Sequence, residues 1–301
     1  MTASREAAWA SGPAAGPRAR LRRLGFGLST VLGLRRRGVF IPYRYADSLP
    51  PAGRPDAYAA AGAVLQAYAP HFAEVLDAID GLAADLNRVA QDAEPPAPRW
   101  GQSWFPGLDA AAAYALVRRR APARIVEVGS GHSTRWLARA VQDGGLATTI
   151  RCIDPAPRAR LDGLPVTFER RTLQQAGAGA AADLEAGDLL FVDSSHVQVP
   201  GSDVELVLAE ILPRLPRGAL LHVHDVFLPD DYPGHWAWRS YNEQGAVAAL
   251  LGAGWRPLFA SHYVATRMAD RVAAGARGCP AKPAEAVESS LWLEKTIDAA
   301  L

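Results

Sequence analysis

The chain has 301 residues, about half of them apolar, with 32 basic and 31 acidic side chains and a net charge of +1. That composition can bury one large core or a core with a small appendage, and it excludes a surface that binds polyanions over its whole extent, so no nucleic-acid partner is expected. No run reaches the ~18 apolar residues that a membrane-spanning helix needs, and the two cysteines, Cys152 and Cys279, are too few for a disulfide scaffold, which suits a reducing, cytoplasmic setting.

Charge is unevenly spread. Residues 1–44 hold nine arginines (5, 18, 20, 22, 23, 35, 36, 37 and 44) against Glu6, a net of +8, which leaves 23 basic and 30 acidic residues, a net of −7, in the remainder. Residues 1–37 therefore read as a basic tail without regular structure, its first part rich in Ala, Gly, Pro and Arg. The apolar run Leu24–Leu34 lacks the small-residue cleavage site of a signal peptide, and arginines flank it, so a weak contact with an anionic membrane surface is a possible use. Residues 38–98 read as a helical arm, because Leu65, Tyr68, Phe72, Val75, Leu76, Ile79, Leu82 and Leu86 recur at spacings of three and four. Pro95, Pro96 and Pro98 end it.

Residues 99–301 form the main domain. Trp100–Leu108 (WGQSWFPGL) is either a wall beside a site or a staple tying the arm to the core, and Asp109 is a plausible N-cap for the helix Asp109–Arg120. Five strands then alternate with helices: Ile125–Val128, Thr149–Ile153, Val166–Arg170, Asp188–Val192 and Ala219–Val223. That order means a parallel sheet covered on both faces, with ligands at the carboxyl ends of its strands. Helices follow at Asp203–Leu212 and Glu243–Leu251, and further strands at Trp255–Ala265 and Ser290–Glu294.

The strand ends carry the chemistry. Ile125–Val128 runs into Gly129-Ser130-Gly131-His132-Ser133, a turn in which glycines let a ligand's polar groups approach the backbone N–H donors. Glu127 at the tip of that strand suits a ribose or a cationic ligand. A dinucleotide turn would place a third glycine where Thr134 stands. Asp154 ends the second strand, where such folds bind ribose hydroxyls, or it merely caps the turn before Pro155. The turn after the third strand, with Thr172, is in position to border an adenine. Asp193 and His196 follow the fourth strand, and His224 and Asp225 the fifth. Two carboxylates with an imidazole suit Mg²⁺ or a similar divalent cation, and a histidine titrating near neutrality can act as base. His222 reads as buried and hydrogen-bonded. Tyr232, His235, Trp236, Trp238 and Tyr241 form an aromatic loop that could stack on a substrate, cover an apolar edge or make a contact in a homo-oligomer.

The pattern Glu127-x-Gly129-x-Gly131 resembles motif I of the class I S-adenosylmethionine-dependent methyltransferases. Asp193-Ser194-Ser195-His196 and His222-Val223-His224-Asp225 resemble the Methyltransf_24 type, similar to metal-dependent O-methyltransferases acting on sugars of macrolide antibiotics. The resemblance implies a Rossmann-like, seven-stranded, mostly parallel sheet with the last strand inserted antiparallel. It also implies S-adenosylmethionine as cofactor, held by Glu127, Gly129, Ser130, Gly131, His132, Ser133, Asp154, Thr172 and Asp193, with His196 and Asp193 catalytic. Asp193, His224 and Asp225 would be metal ligands, His224 standing where the family has an acid. The implied reaction is methylation of a hydroxyl on a small molecule or glycan. An NAD-linked oxidoreductase and a non-catalytic scaffold are the competing readings.

Overall fold

The computed structural model describes residues 17–275 and 282–298; Cys279 lies outside them. The chain divides into two compact units, one of residues 1–59 with Pro229–Tyr241, the other of Ala60–Leu228 with Asn242–Leu301.

In the first unit the segment read as a basic tail contains a helix, Pro17–Val31. The backbone of Asp231 donates to the Arg54 carbonyl at 2.9 Å, and Tyr58 donates to the Pro229 carbonyl at 2.9 Å, so the aromatic loop is stitched to residues 54–58. Within that loop the Arg239 guanidinium lies 4.0 Å from the Trp236 ring centre and 5.4 Å from that of Tyr241, a cation–π arrangement that orders the rings against one another.

The second unit is built on one sheet. Its strands are β1 (Arg124–Val128), β2 (Thr149–Ile153), β3 (Thr167–Glu169), β4 (Leu189–Val192), β5 (Leu220–Val223), β6 (Trp255–Ala260) and β7 (Leu291–Lys295), in the order β3-β2-β1-β4-β5-β7-β6. β7 alone runs antiparallel, between β5 and β6. This is the mostly parallel, Rossmann-like sheet that the resemblance implies. β4 and β5 are buried along their whole length, which is why they read as apolar runs, broken only by His222 in β5, rather than as alternation.

Several boundaries differ from the sequence reading. The helical arm makes three helices, Ala59–Ala67, Ala69–Gly81 and Ala83–Leu86. Pro70 lies in the first turn of the second, and its missing N–H and bulky ring force the break at Tyr68. β6 stops at Ala260, and a helix, Ser261–Arg267, occupies residues read as strand. There the buried Ser261 hydroxyl turns inward to the Asp109 carboxylate. The helix before β5 widens from an α-turn at Asp203–Leu206 to a π-turn at Val207–Ile211 and then tightens to a 3₁₀ turn at Leu212–Arg214, where Pro213 removes a donor. Trp100 and Phe105 are core residues at 2% and 1% exposure, whereas Trp104 between them is half exposed, so the WGQSWF segment is staple and surface at once.

Lys295 closes β7 from below. Its buried ammonium donates to the carbonyls of Leu212, Pro213 and Leu215 at 2.9, 2.9 and 2.7 Å, taking up the loose end of the preceding helix. Lys295→Met leaves three carbonyls unpaired, and we expect a loss of about 3 kcal/mol, read from urea unfolding midpoints.

Candidate active site

The glycine turn after β1 is shaped by the backbone of β4. Gly129 has φ +80°, and a Cβ there would fall 1.8 Å from the Asp193 carbonyl oxygen, so no other residue fits without moving the strand. Gly131 is different. It is extended, and the nearest atom to a Cβ would be Arg158 Cβ at 3.9 Å. The protein leaves space in front of that backbone, as a ligand cradle requires. Ser130 Oγ and His132 Nδ1 are buried there without partners, and burial, with Arg135 and Arg99 nearby, pushes the His132 imidazole down to about 4.

Glu127 faces inward from the same turn. Its side chain is fully buried and accepts hydrogen bonds from Ser133 Oγ at 2.7 Å and Thr134 Oγ1 at 2.6 Å. Thr134 Oγ1 also accepts from the Gly131 N–H at 2.9 Å, which caps the helix His132–Gly144. Glu127 is thus bonded to both Ser133 and Thr134, the latter at the third glycine position, which ties the strand end to the first turn of the helix. Asp154 ends β2 and accepts from the N–H groups of Ser130 and Ala156, both at 2.7 Å, so it links β2 to the glycine turn. Thr172 caps the short helix Leu173–Ala176.

Beyond the ends of β4 and β5 four ionisable groups close a ring. His196 Nε2 lies 3.3 Å from Asp193 Oδ1 and 3.3 Å from Asp225 Oδ2, and His224 Nδ1 lies 3.4 Å from an oxygen of each of the same two carboxylates. Each imidazole has a further acid behind it. Glu243 Oε1 meets His196 Nδ1 at 2.6 Å, and Asp109 Oδ2 lies 3.5 Å from His224 Nε2. Burial disfavours charge on His196, but Glu243, Asp225 and Asp193 outweigh it and raise its pKa well above the ordinary value. The same balance, with Asp193, Asp225 and Asp109, raises His224. Burial works to raise Asp193, yet the two imidazoles hold it well below the usual carboxylate range. His196 thus departs from the expectation of titration near neutrality. His222 is buried, stacked on Phe191 and bonded to Ser290 Oγ at 2.9 Å.

Three members of this site were not identified from sequence. Asp109 is not an N-cap: the helix runs Gly107–Arg120 with Pro106 at its cap, and the Asp109 carboxylate turns into the core to accept from Ser261 Oγ and from the Ser289 and Ser290 N–H groups. Glu243 immediately precedes the helix Gln244–Leu250. Ser289 Oγ donates to Asp225 at 3.2 Å. An acid in an otherwise apolar helix face was the one available signal, at Asp109.

Residues 126–226 match the family model described as a methyltransferase domain. Over that third of the chain the sequence is similar to methyltransferase domains. The match opens in β1 and closes one residue beyond Asp225, so it contains every site residue read from sequence, while Asp109, Glu243 and Ser289 lie outside it. None of the curated proteins matches the chain significantly. Similar solved structures include the O-methyltransferase from Bacillus cereus in complex with SAH, 15% identical over 74% of this chain and 91% of that one, TM-score 0.35. The SAH-bound Podospora anserina methyltransferase PaMTH1 is 16% identical over 86% of this chain and 100% of its own, TM-score 0.37. The MycE methyltransferase of the mycinamycin biosynthetic pathway, in complex with Mg, SAH and mycinamycin VI, is 15% identical over 60% and 47%, TM-score 0.34.

Glu127 gives the second unit a pH signature. Burial pushes its carboxyl up to about 7 from an ordinary 4.5, against the pull of the Thr134 and Ser133 hydroxyls. A raised folded-state pKa favours the protonated form in the native state, so its stabilisation is complete below the unfolded value and is lost as pH rises through about 7. Between pH 4.5 and alkaline pH that loss is roughly 3 kcal/mol. Glu127→Gln should flatten this part of the profile, measured as urea midpoints across the same range.

Proposed function

We propose that the chain transfers a methyl group from S-adenosylmethionine to a hydroxyl oxygen of a small-molecule or glycan acceptor, with His196 as the base. The observation that carries this reading is the position of His196, whose Nδ1 is fixed by Glu243 at 2.6 Å while Nε2 faces Asp193 and Asp225. The cofactor supplies an electrophilic methyl group on a sulfonium. Gly129, Ser130, Gly131 and His132 bind it along the turn after β1, with Asp154 on the ribose and Thr172 toward the adenine. Glu127 and Ser133 act from behind by holding the turn. Asp193 lies between this turn and His196, because its backbone contacts Gly129 and its carboxylate the imidazole.

The proton of the acceptor hydroxyl passes to His196 Nε2 as the oxygen takes the methyl group, and Asp193, Asp225 and Glu243 stabilise the imidazolium that results. Glu243 is the positioning residue, because a hydrogen bond to Nδ1 selects which ring nitrogen faces the substrate. The free enzyme must first release a proton from His196, since the same acids favour its charged form.

Metal assistance belongs to this reading through Asp193, His224 and Asp225, a donor set suited to Mg²⁺ or a similar ion, which would lower the pKa of the acceptor hydroxyl. Among the described residues no three such groups are set out around an ion, because each imidazole already stands between the carboxylates. A cation would compete with the His224 imidazolium for them. The reading places the protein in the cytoplasm, where the buried free thiol of Cys152 stays reduced.

Two experiments test it. In calorimetric titration with S-adenosylhomocysteine, Asp154→Ala should weaken binding about tenfold, whereas His196→Ala and Glu243→Gln should leave it unchanged. Once an acceptor is found, His196→Ala should lower kcat by about 10²–10⁴, and Glu243→Gln by about tenfold with KM retained. Binding of NAD⁺ in place of S-adenosylhomocysteine would overturn the reading. Chelation should suppress turnover and Mg²⁺ restore it if the ion takes part; indifference to chelator leaves His196 and its acids to act alone.

A further inference from the structure

Among its described residues the first unit presents an apolar surface that stays exposed although its helix touches the segment Gly234–Arg239. Leu21, Leu24, Leu28 and Val31 recur at three and four residues along the helix Pro17–Val31, hence as one stripe, and they are 68, 58, 53 and 62% exposed. Leu32, Leu34, Phe40 and Ile41 continue it at 63–77%. Large apolar side chains are ordinarily exposed one at a time, and a continuous set of them marks a surface that meets something other than water.

Its charge identifies the occupant. Residues 17–44 contain eight arginines and no acid. The chain reverses at Gly33, at φ +69°, and folds back on the helix: the Arg37 N–H donates to Thr30 Oγ1 at 2.9 Å, and the Arg35 N–H to the Ser29 carbonyl at 3.1 Å. Phe26 then lies under both Arg22 and Arg37, with guanidinium carbons 5.1 and 5.3 Å from its ring centre. Arginines from before and after the turn are thus gathered at Phe26, on the helix face opposite the apolar stripe, as in an amphipathic interfacial segment. Two copies of such a segment repel each other, whereas a leaflet of anionic lipid offers phosphates to the arginines and acyl chains to the leucines. Among the described residues no helix is long and apolar enough to cross a membrane.

We infer that residues 17–44 form an interfacial anchor, which lays Leu21, Leu24, Leu28 and Val31 into the surface of an anionic bilayer with the arginines on its phosphates.

The test is flotation of the full chain with vesicles of phosphatidylcholine alone and of phosphatidylcholine with phosphatidylserine. The protein should float with the anionic vesicles only, and less so at high salt. Leu24→Glu with Leu28→Glu, and separately Arg35→Gln, Arg36→Gln and Arg37→Gln together, should each lower partitioning by roughly a hundredfold. Their urea midpoints should match the parent chain's, since the altered side chains are exposed. Absence of binding to anionic vesicles, or equal binding by parent and variants, overturns the inference. So does self-association in sedimentation velocity that the leucine substitutions abolish while vesicle binding is absent.

Discussion

Buried charge beyond the carboxyl ends of β4 and β5 is the constraint on which the rest of the second unit depends. Carboxylates and imidazoles taken out of water are costly unless each meets an opposite charge and its remaining donors and acceptors are satisfied. Here the two signs alternate, with His196 and His224 each between Asp193 and Asp225, and with Glu243 and Asp109 at the outer ends. Removing any one member leaves its buried neighbours one partner short. The pairing draws on the helix Gly107–Arg120 for Asp109, on the residue before Gln244–Leu250 for Glu243 and on the segment leading into β7 for Ser289. The antiparallel insertion of β7 beside β5 is what brings Ser289 to Asp225 and His224. Sheet topology and site chemistry are therefore one problem with one solution.

The glycine turn is built to a different rule. Around Gly129 the protein fills all available space, and around Gly131 it leaves space open. Glu127 lies beneath, engaged by two hydroxyls from the following helix. A cofactor turn needs backbone donors in front and rigidity behind, and an acid bonded to the first turn of the helix provides the rigidity. Burial likewise keeps the Cys152 thiol, 3.3 Å from Glu127, protonated and inert.

What could be read from sequence follows the range of the physics involved. β1, β4 and β5 were legible because a strand buried on both faces is written mostly in apolar residues, and β2 because its apolar residues alternate with Thr149 and Arg151. The residues at their ends were legible because a polar residue closing such a run has no packing reason to be there. The acids that complete the ring were not legible, because Asp109 and Glu243 approach His224 and His196 across long stretches of chain and no local pattern records the pairing. Asp109 even carries a sufficient local explanation, as a cap, which the structure replaces with a tertiary one. The end of β6 was lost for the same reason: residues 261–265 are apolar enough to continue a strand, and the Ser261 bond to Asp109 decides otherwise.

The backbone shows how firmly the side chains of this site are required. His196 has φ +60° and Asp225 φ +56°, two of five non-glycine residues with left-handed backbone among the described residues. A left-handed residue with a Cβ costs roughly 1–2 kcal/mol, and glycine would remove the cost. Glycine would also remove the imidazole or the carboxylate. At Gly33, Gly129 and Gly163, where a positive φ is needed and a side chain is not, the chain does use glycine. Both exceptions beyond β4 and β5 belong to the ring, and the left-handed turn lets each chain leave its strand while its side chain points back across the strand ends. Strain held at two adjacent positions in one cluster indicates that the cluster's chemistry, rather than the stability of the turns, decides which residues stand there.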